Sequence, residues 1–178
     1  NTQTVSVMVN PSPELSSALY LSPICNGGAI NYTARTLSKN IDFSWSRASI
    51  AGINGGVANN GNGALISETL VNSTTSPITV QYKVTMTVQG SSCNESEFVE
   101  IVVNPTPVIE TKTIVDICSS DNFVYDITSA TENASFTWIR PKNNNIIESA
   151  ATGNNSMISE RLTVRSGVNT PVSVNYTI

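Results

Sequence analysis

The stretch that decides the fold is residues 78–88, which read Ile-Thr-Val-Gln-Tyr-Lys-Val-Thr-Met-Thr-Val. Apolar side chains occupy every second position from Ile78 to Val88, with polar side chains between them. Because successive side chains of a strand point to opposite faces, this alternation predicts a long strand with one buried face. Shorter alternations of the same kind occur at Ile41-Phe43-Trp45, at Phe123-Tyr125-Ile127 and at Val172-Val174-Tyr176-Ile178. Separated by Gly, Asn, Ser and Pro clusters, such strands predict an all-β fold of antiparallel β-sandwiches.

The composition narrows the functional classes. The chain has 178 residues, a net charge of −4, only 12% charged residues and no histidine. Such a charge balance provides no electrostatic basis for binding nucleic acid or an anionic membrane. Without histidine, Ser-His-Asp and Cys-His catalysis are excluded together. No stretch approaches 18 consecutive apolar residues, so we expect no membrane insertion.

The sequence repeats itself at an offset of 92 to 94 residues, which indicates two copies of one unit. Val9-Asn10-Pro11-Ser12-Pro13 returns as Val103-Asn104-Pro105-Thr106-Pro107, Ile24-Cys25 as Ile117-Cys118, Phe43-Ser44-Trp45-Ser46-Arg47 as Phe136-Thr137-Trp138-Ile139-Arg140, Ile66-Ser67-Glu68 as Ile158-Ser159-Glu160, and Pro77 and Tyr82 as Pro171 and Tyr176.

The alignment of the copies also sets the predicted domain boundaries. Residues 1–9 correspond to the segment that closes the first copy, so we expect them to be the last strand of a preceding copy. Residues 10–104 then form repeat 1, and residues 105–178 form repeat 2 without its final strand. We favour this division because residues 78–103 resemble a hairpin that turns at 90–94. The alternative is two complete sandwiches at 1–92 and 95–178. The prolines at 10–13 and 104–107 predict short, stiff linkers.

Three cysteines occur, and the alignment predicts a disulfide between Cys25 and Cys93. The counterpart of Cys93 in repeat 2 would lie beyond residue 178, which leaves Cys118 unpaired. Such a cross-link would stabilise a copy by a few kcal/mol. Three unrelated reduced thiols are the alternative.

Charged residues on the apolar faces predict structural ion pairs. Arg47 shares a strand face with Trp45, and Glu68 shares one with Ile66. We therefore expect Arg47 and Glu68 to pair at the rim of the core, and Arg140 and Glu160 to repeat the pair. A catalytic carboxylate with an electrophilic arginine is the weaker alternative, because no second acid or base accompanies it.

No metal, cofactor or catalytic residue is predicted. Glu95, Glu97 and Glu100 lack the alternating Asp pattern of a calcium loop and are interpreted as solvated edge charge. The glycine-rich segment 51–64 is the longest irregular one, and its counterpart differs in sequence. We interpret it as disordered or simply packed, with ligand contact as the alternative. No Gly-Lys-Ser/Thr follows it, so it is not a phosphate loop.

The ordered series of motifs resembles the PKD-like repeats of Bacteroidota cell-surface adhesins, including the SprB-like gliding-motility adhesins. The motifs are Ile-Cys, Phe-x-Trp-x-Arg, Ile-Ser-Glu-x-Leu, Pro-x-x-Val-x-Tyr, and a cysteine before Val-x-Ile-Val-Val-Asn-Pro-Thr-Pro. The resemblance implies Ig-like sandwiches in tandem, export by type IX secretion, display at the cell surface and a part in gliding. It supplies no catalytic residues.

Together these observations predict a non-catalytic structural repeat of a large secreted adhesin. Its partners would be neighbouring repeats of the same polypeptide, with surface polysaccharide or other cell-surface proteins as further candidates. A glycan- or protein-binding module, or an accessory module of a secreted hydrolase, is the alternative function.

Overall fold

The computed structural model of this chain describes residues 2–7, 9, 12–111 and 114–178. The chain divides into two compact units, Asn1–Thr106 and Pro107–Ile178, here called unit 1 and unit 2. The regular structure of the described residues consists of strands and one short 3-10 turn at Asn54–Gly56, and every strand pair is antiparallel. The predicted all-β, antiparallel sandwich class is confirmed.

Unit 1 contains a four-stranded and a two-stranded sheet. Its strands are β1 (Gly28–Thr33), β2 (Ile41–Arg47), β3 (Asn59–Asn62), β4 (Leu65–Leu70), β5 (Ile78–Val88) and β6 (Asn94–Val103). The larger sheet has the order β3-β2-β5-β6, and β1 pairs with β4 in the smaller one. Residues 15–24 add isolated bridges, of which Tyr20 with Glu100 and Ile24 with Val103 are parallel to β6.

The core of unit 1 lies between these two sheets. The smaller sheet contributes Ile30, Tyr32, Ile66 and Leu70, and the larger one contributes Trp45, Val80, Tyr82, Val84, Val99, Ile101 and Val103. Val80 and Val99 are completely buried, on β5 and β6 respectively. Each such side chain stabilises the fold by about 1.5–3 kcal/mol relative to its exposed state. The alternation in residues 78–88 therefore produces the inner face of the sandwich.

The predicted hairpin at 78–103 is confirmed. Ile78 lies opposite Val103 and Thr87 opposite Asn94, so β5 and β6 pair along their length. The chain turns through Gly90, whose φ of 71° belongs to the left-handed region that glycine adopts without strain. Strand β6 therefore lies in the same sheet as β5, within unit 1.

Segment 51–64 is more ordered than the sequence predicted. Its 3-10 turn is followed by β3, which pairs with β2, and Ile53 is completely buried. A β-carbon on Gly61 would lie 2.7 Å from the ring of Trp45. The glycine thus allows a strand without apolar residues to cover the indole. Of the two interpretations, packing is the one observed, but the expectation that the segment is irregular throughout was wrong, because this packing contact leaves no alternation in the sequence.

Unit 2 repeats part of this arrangement with shorter strands. Its strands are β7 (Asn122–Asp126), β8 (Trp138–Arg140), β9 (Ala151–Gly153) and β10 (Met157–Arg161). Strand β7 pairs with β10, and β8 pairs with β9. The pairs correspond to β1 with β4 and to β2 with β3. Its core comprises Phe123, Ile127, Trp138, Ile146, Ile158 and Leu162.

Residues 172–178, predicted as the counterpart of β5, form only one isolated bridge, between Thr177 and Ile139. In unit 1, β5 is hydrogen-bonded to β2 on one side and to β6 on the other. Within the described part of unit 2, no strand occupies the position of β6. Val172, Val174 and Tyr176 therefore remain only half-buried.

The segments outside the sheets test the domain predictions only in part. Residues 2–7 and 9 form no strand, and Asn1, Met8, Asn10 and Pro11 of the predicted strand and linker lie outside the described residues. The assignment of 1–9 to a preceding repeat stays a prediction. The second predicted linker is held to unit 1 as far as Thr106, because Asn104 N donates to Ile24 O (2.8 Å) and Asn26 Nδ2 donates to Thr106 Oγ1 (2.8 Å).

The predicted disulfide between Cys25 and Cys93 is corrected by the topology. Cys25 follows Ile24, which pairs with Val103 at the end of β6, whereas Cys93 directly precedes the first residue of β6. Ten extended residues separate the two ends by about 30 Å, but a disulfide requires Cα atoms within about 7 Å. All three cysteines, Cys118 included, are free and exposed.

Candidate functional site

The central polar feature of unit 1 is a buried ion pair that links the two sheets. Arg47 is the last residue of β2 in the large sheet, and Glu68 lies on β4 in the small one. Arg47 Nε donates to Glu68 Oε2 (3.0 Å), and Nη2 donates to Oε1 (2.6 Å). This two-pronged geometry is the strong form of an arginine–carboxylate contact. The structure thus brings Arg47 and Glu68 together as the sequence predicted.

The pair lies deeper than expected. Arg47 is 2% exposed, and the side chain of Glu68 is 8% exposed, so the pair belongs to the core rather than to its rim. Tyr82 on β5 lies directly opposite Arg47 in the register, so the two side chains are neighbours on the inner face of the large sheet. The predicted position was too shallow because strand periodicity gives the face of a residue but not its depth.

A tyrosine hydroxyl completes the cluster. Tyr82 Oη donates to Glu68 Oε2 at 2.6 Å, and Tyr82 is completely buried. We call Arg47, Glu68 and Tyr82 the unit 1 triad. Sequence reasoning did not assign the tyrosine to this cluster. The available signal was that Tyr82 and Tyr176 repeat at the same offset as the other motifs.

Unit 2 contains the same cluster, here called the unit 2 triad, of Arg140, Glu160 and Tyr176. Arg140 Nε donates to Glu160 Oε2 (2.8 Å), and Nη2 donates to Oε1 (2.9 Å). Tyr176 Oη donates to the same carboxylate. Arg140 is 1% exposed, and the side chain of Glu160 is 15% exposed. The structure therefore also brings together the second predicted pair.

The two triads differ in how completely their hydrogen-bonding groups are used. In unit 1, Arg47 Nη1 donates to Ala48 O (3.2 Å), and Asn54 Nδ2 donates to Glu68 Oε1 (3.0 Å). In unit 2, Arg140 Nη2 also donates to Ser149 O, but its buried Nη1 has no hydrogen-bond partner among the described residues. A buried donor without a partner lowers stability.

A tryptophan packs beside each triad. The ring of Trp45 meets Tyr82 edge-on with centroids 5.8 Å apart, and that of Trp138 meets Tyr176 in the same way at 5.9 Å. In unit 2 the ring is covered by Gly153, where a β-carbon would lie 2.4 Å from the indole. Glycine on β3 and on β9 is therefore a shared requirement that the sequence comparison did not detect.

The surroundings of each triad favour an ionised glutamate and a protonated tyrosine. Burial opposes the ionisation of Glu68, but hydrogen bonds from Arg47 and Tyr82 outweigh it and hold the pKa of Glu68 below its usual range. The hydrogen bond from Arg140 does the same for the pKa of Glu160. Burial and the neighbouring carboxylate raise the pKa of both tyrosines above their usual range.

The arrangement of these groups supports a structural role. A general acid or base must reach a substrate, whereas both carboxylates are occupied by an arginine and a tyrosine inside the core.

Of the acidic residues of β6, Glu97 Oε1 accepts from Leu15 N (2.7 Å), and Glu100 Oε1 accepts from Gln81 Nε2 (2.6 Å). Among the described residues, no group of three or more acidic or cysteine side chains could hold a metal ion. No helix in that part of the chain is long and apolar enough to cross a membrane.

Comparison with known proteins agrees with this arrangement for unit 1. No curated protein matches the chain. Residues 22–107 match the family model described as PKD-like domain, and this range contains β1 to β6 and the unit 1 triad. PKD-like domains are Ig-like modules that are typically non-catalytic and commonly extracellular. The match and the sandwich together support the conclusion that residues 22–107 form a PKD-like repeat.

Proposed function

We propose that this chain is a non-catalytic structural repeat of a large secreted cell-surface adhesin, and that it contributes to surface adhesion and gliding motility. The proposal extends the resemblance to SprB-like adhesins of Bacteroidota. In this role the chain spaces other parts of the adhesin away from the cell, and neighbouring repeats of the same polypeptide are its main partners. Surface polysaccharide or other cell-surface proteins are the further partners.

The observation that carries the proposal is the repetition of one buried triad. Both units place an arginine, a glutamate and a tyrosine in the same hydrogen-bonding pattern inside the core. In unit 1 the triad links the two sheets of a PKD-like sandwich. An array whose units each fold around their own core grows in length without new long-range contacts. The repeated feature therefore supports mechanical spacing rather than chemistry.

A replacement experiment in the producing cell tests this role. The region encoding residues 22–107 is replaced by an unrelated β-sandwich of similar length, and in a second strain it is deleted. Surface display is measured with antibodies on intact cells, followed by attachment and gliding speed. We expect the replacement to retain display, attachment and gliding, and the deletion to reduce the last two. Loss of attachment in the replacement strain, with display intact, would contradict a spacer role.

A second candidate function, binding of a glycan or a protein, is favoured by two exposed aromatic rings. Tyr20 is 78% exposed and Phe98 is 54% exposed. Tyr20 pairs with Glu100, and Phe98 lies two residues from Glu100 on the same strand, so both rings belong to the solvent face of the sheet. Aromatic rings on a sheet face provide large apolar contact area for a ligand.

The double variant Tyr20→Ala with Phe98→Ala separates the two functions. A spacer tolerates this change, because both side chains lie in solvent. A binding module would lose attachment while its surface display is unchanged. The variant Leu37→Ala, at a side chain that is 91% exposed, serves as the control.

A further inference from the structure

Segment 19–24 of unit 1, here called the strap, lies beside β6 and runs in the same direction. Tyr20 forms a parallel bridge with Glu100, and Ile24 forms one with Val103. Main-chain hydrogen bonds join the strap to β6 at both bridges. They run from Glu100 N to Leu19 O (2.7 Å), from Leu21 N to Glu100 O (2.9 Å), from Ile24 N to Val102 O (2.9 Å) and from Asn104 N to Ile24 O (2.8 Å).

Side chains extend this contact beyond both ends of the strap. Before it, Leu15 N donates to Glu97 Oε1 (2.7 Å), and after it Asn26 Nδ2 donates to Thr106 Oγ1 (2.8 Å). The apolar side chains of the strap, Leu19, Leu21 and Ile24, are half-buried against the core of unit 1. The strap is therefore held to the sandwich by packing as well as by hydrogen bonds.

The parallel direction decides how tension acts on this contact. Within unit 1 the strap comes before β1 and β6 is the last strand, so tension along the chain pulls the strap toward residue 12 and β6 toward Thr106. Parallel segments pulled in these opposite senses slide along each other, so their hydrogen bonds are loaded together. In the antiparallel hairpin of β5 and β6, Ile78 and Val103 lie at the same end, and pulling them apart would break the bonds one after another.

We propose a further function for this contact: the strap and β6 form a clamp that resists tension along the chain. The proposal rests on the spacer role proposed above, because a spacer between a cell and a surface is stretched when either moves. Unfolding under force is governed by the unfolding rate, so a clamp can protect the unit without raising its equilibrium stability. Because the clamp is measured on the isolated chain, its failure would refute the clamp and leave the replacement experiment to judge the spacer role.

Single-molecule stretching of the 178-residue chain in two pulling geometries tests the clamp. One tether is attached at the N-terminus and the other at one native cysteine, with the remaining two cysteines replaced by serine. Cys93 and Cys118 are suitable because both are exposed and free. Pulling through Cys118, which follows β6 in the sequence, loads the strap and β6 in shear. Cys93 directly precedes β6, on the side where Leu15 contacts Glu97, so pulling through it opens the contact bond by bond.

We expect the unfolding force at equal loading rate to be at least about twofold higher through Cys118 than through Cys93, because only the first geometry loads the bonds together. Breaking the clamp through Cys118 releases residues 19–104. At about 3.5 Å per residue, this release lengthens the tether by about 30 nm, which identifies the event.

Removing one donor at the far end of the clamp makes the test specific. Asn104→Pro deletes the N–H that donates to Ile24 O. This variant is expected to unfold at lower force through Cys118. Its force through Cys93 should be unchanged, because in that geometry the contact opens from Leu19. Circular dichroism checks that the variant is folded, and if it is not, the two geometries of the parent chain still decide the question.

The matched control removes a main-chain hydrogen bond outside the clamp. Ser16 is exposed, and its N–H donates to Arg35 O (2.7 Å). Ser16→Pro deletes this bond, which does not join the strap to β6. The control is expected to unfold through Cys118 at the force of the parent chain.

Three results would overturn the proposal. The first is an equal unfolding force in the two geometries of the parent chain. The second is an unchanged force through Cys118 in a folded Asn104→Pro variant. The third is an equal loss of force in Asn104→Pro and Ser16→Pro, which would indicate general destabilisation of unit 1 rather than a clamp.

Discussion

Units 1 and 2 share their motifs but differ in how far those motifs become regular structure. In unit 1, an eleven-residue β5 lies between β2 and β6, and Val80 and Tyr82 are completely buried. In unit 2 the equivalent Val174 and Tyr176 are half-buried, and β5 has only an isolated bridge as its counterpart. The same alternating sequence thus forms a long strand where both edges are paired and little regular structure where one edge is open.

The two triads do not depend on this difference in strand pairing. Both keep the two-pronged arginine–glutamate contact and the tyrosine hydrogen bond, although only unit 1 has the sixth strand. The polar cluster is therefore fixed by β2 with β4 and by β8 with β10, not by strand β6. The following predictions use the two tryptophans, one in each unit, as separate fluorescence reporters. Unit 1 is followed in a Trp138→Phe background and unit 2 in a Trp45→Phe background.

The largest expected effect is that of Glu68→Ala. It leaves the guanidinium of Arg47 buried without its counter-ion, which costs about 3–5 kcal/mol of the free energy of unfolding of unit 1. Glu160→Ala is expected to cost unit 2 less, because the Glu160 side chain is more exposed than that of Glu68. Urea titrations measure both, with the exposed Glu95→Ala as control. An equal loss in the three variants would show that the triads are not structural.

The second-largest loss of stability is expected from removing one tyrosine hydroxyl. Tyr82→Phe keeps the ring but deletes the hydrogen bond to Glu68, and hydrogen bonds to charged groups contribute about 1.5–3 kcal/mol. Tyr176→Phe is expected to have a smaller effect on unit 2, because its ring is only half-buried. The same titrations compare the two. A larger loss in unit 2 than in unit 1 would contradict the comparison.

Adding one methyl group tests the cover over each tryptophan. Gly61→Ala and Gly153→Ala would place a β-carbon 2.7 Å and 2.4 Å from the indole, so the ring must shift. Overpacking of this kind costs about 1–3 kcal/mol. A shift of the tryptophan emission maximum should accompany the loss of stability. The neighbouring exposed Asn60→Ala is the control, and an unchanged emission spectrum in both glycine variants would refute the contact.

The free energy of unfolding of both units should fall at acid pH and again at alkaline pH. The pKa of Glu68 and of Glu160 is lowered on folding, so their contribution is present above the unfolded value of about 4.3 and is lost as pH falls below it. The pKa of Tyr82 and of Tyr176 is raised, so their contribution is present below about pH 10 and is lost as pH rises above it. Tyr82→Phe should flatten the alkaline limb of unit 1 only. Free energies of unfolding against pH check this, and an alkaline limb unchanged by Tyr82→Phe would be inconsistent with the triad.

The smallest effect is expected at the cysteines. Cys25, Cys93 and Cys118 are exposed and free, so all three should react with an alkylating reagent in the native protein. Reductant should leave the free energy of unfolding unchanged within about 0.5 kcal/mol, as for ordinary surface changes. Intact mass before and after alkylation is the measurement. A Cys25 to Cys93 cross-link would contradict the register of β6.

The sequence predicts those features that depend on periodicity and repetition. Alternation at 78–88 predicts β5, and the offset near 93 predicts that Arg140 and Glu160 repeat Arg47 and Glu68. The disulfide failed because equivalence between copies says nothing about distance, and one end of β6 lies about 30 Å from the other. The packing of Gly61 against the ring of Trp45 was missed, because a residue without a side chain adds nothing to an alternating hydrophobic pattern. Tyr82 was predicted as a core residue, but its hydroxyl partner Glu68 lies on β4 of the other sheet, and alternation within one strand does not predict contacts between sheets.

The most direct test of the account is hydrogen exchange resolved to single amides. The account holds that pairing on both edges, and not the alternating sequence, makes β5 a stable strand. It predicts strong protection along 78–88 and fast exchange along 172–176, since amides without a partner strand exchange by local opening. Equal protection of the two segments would contradict it.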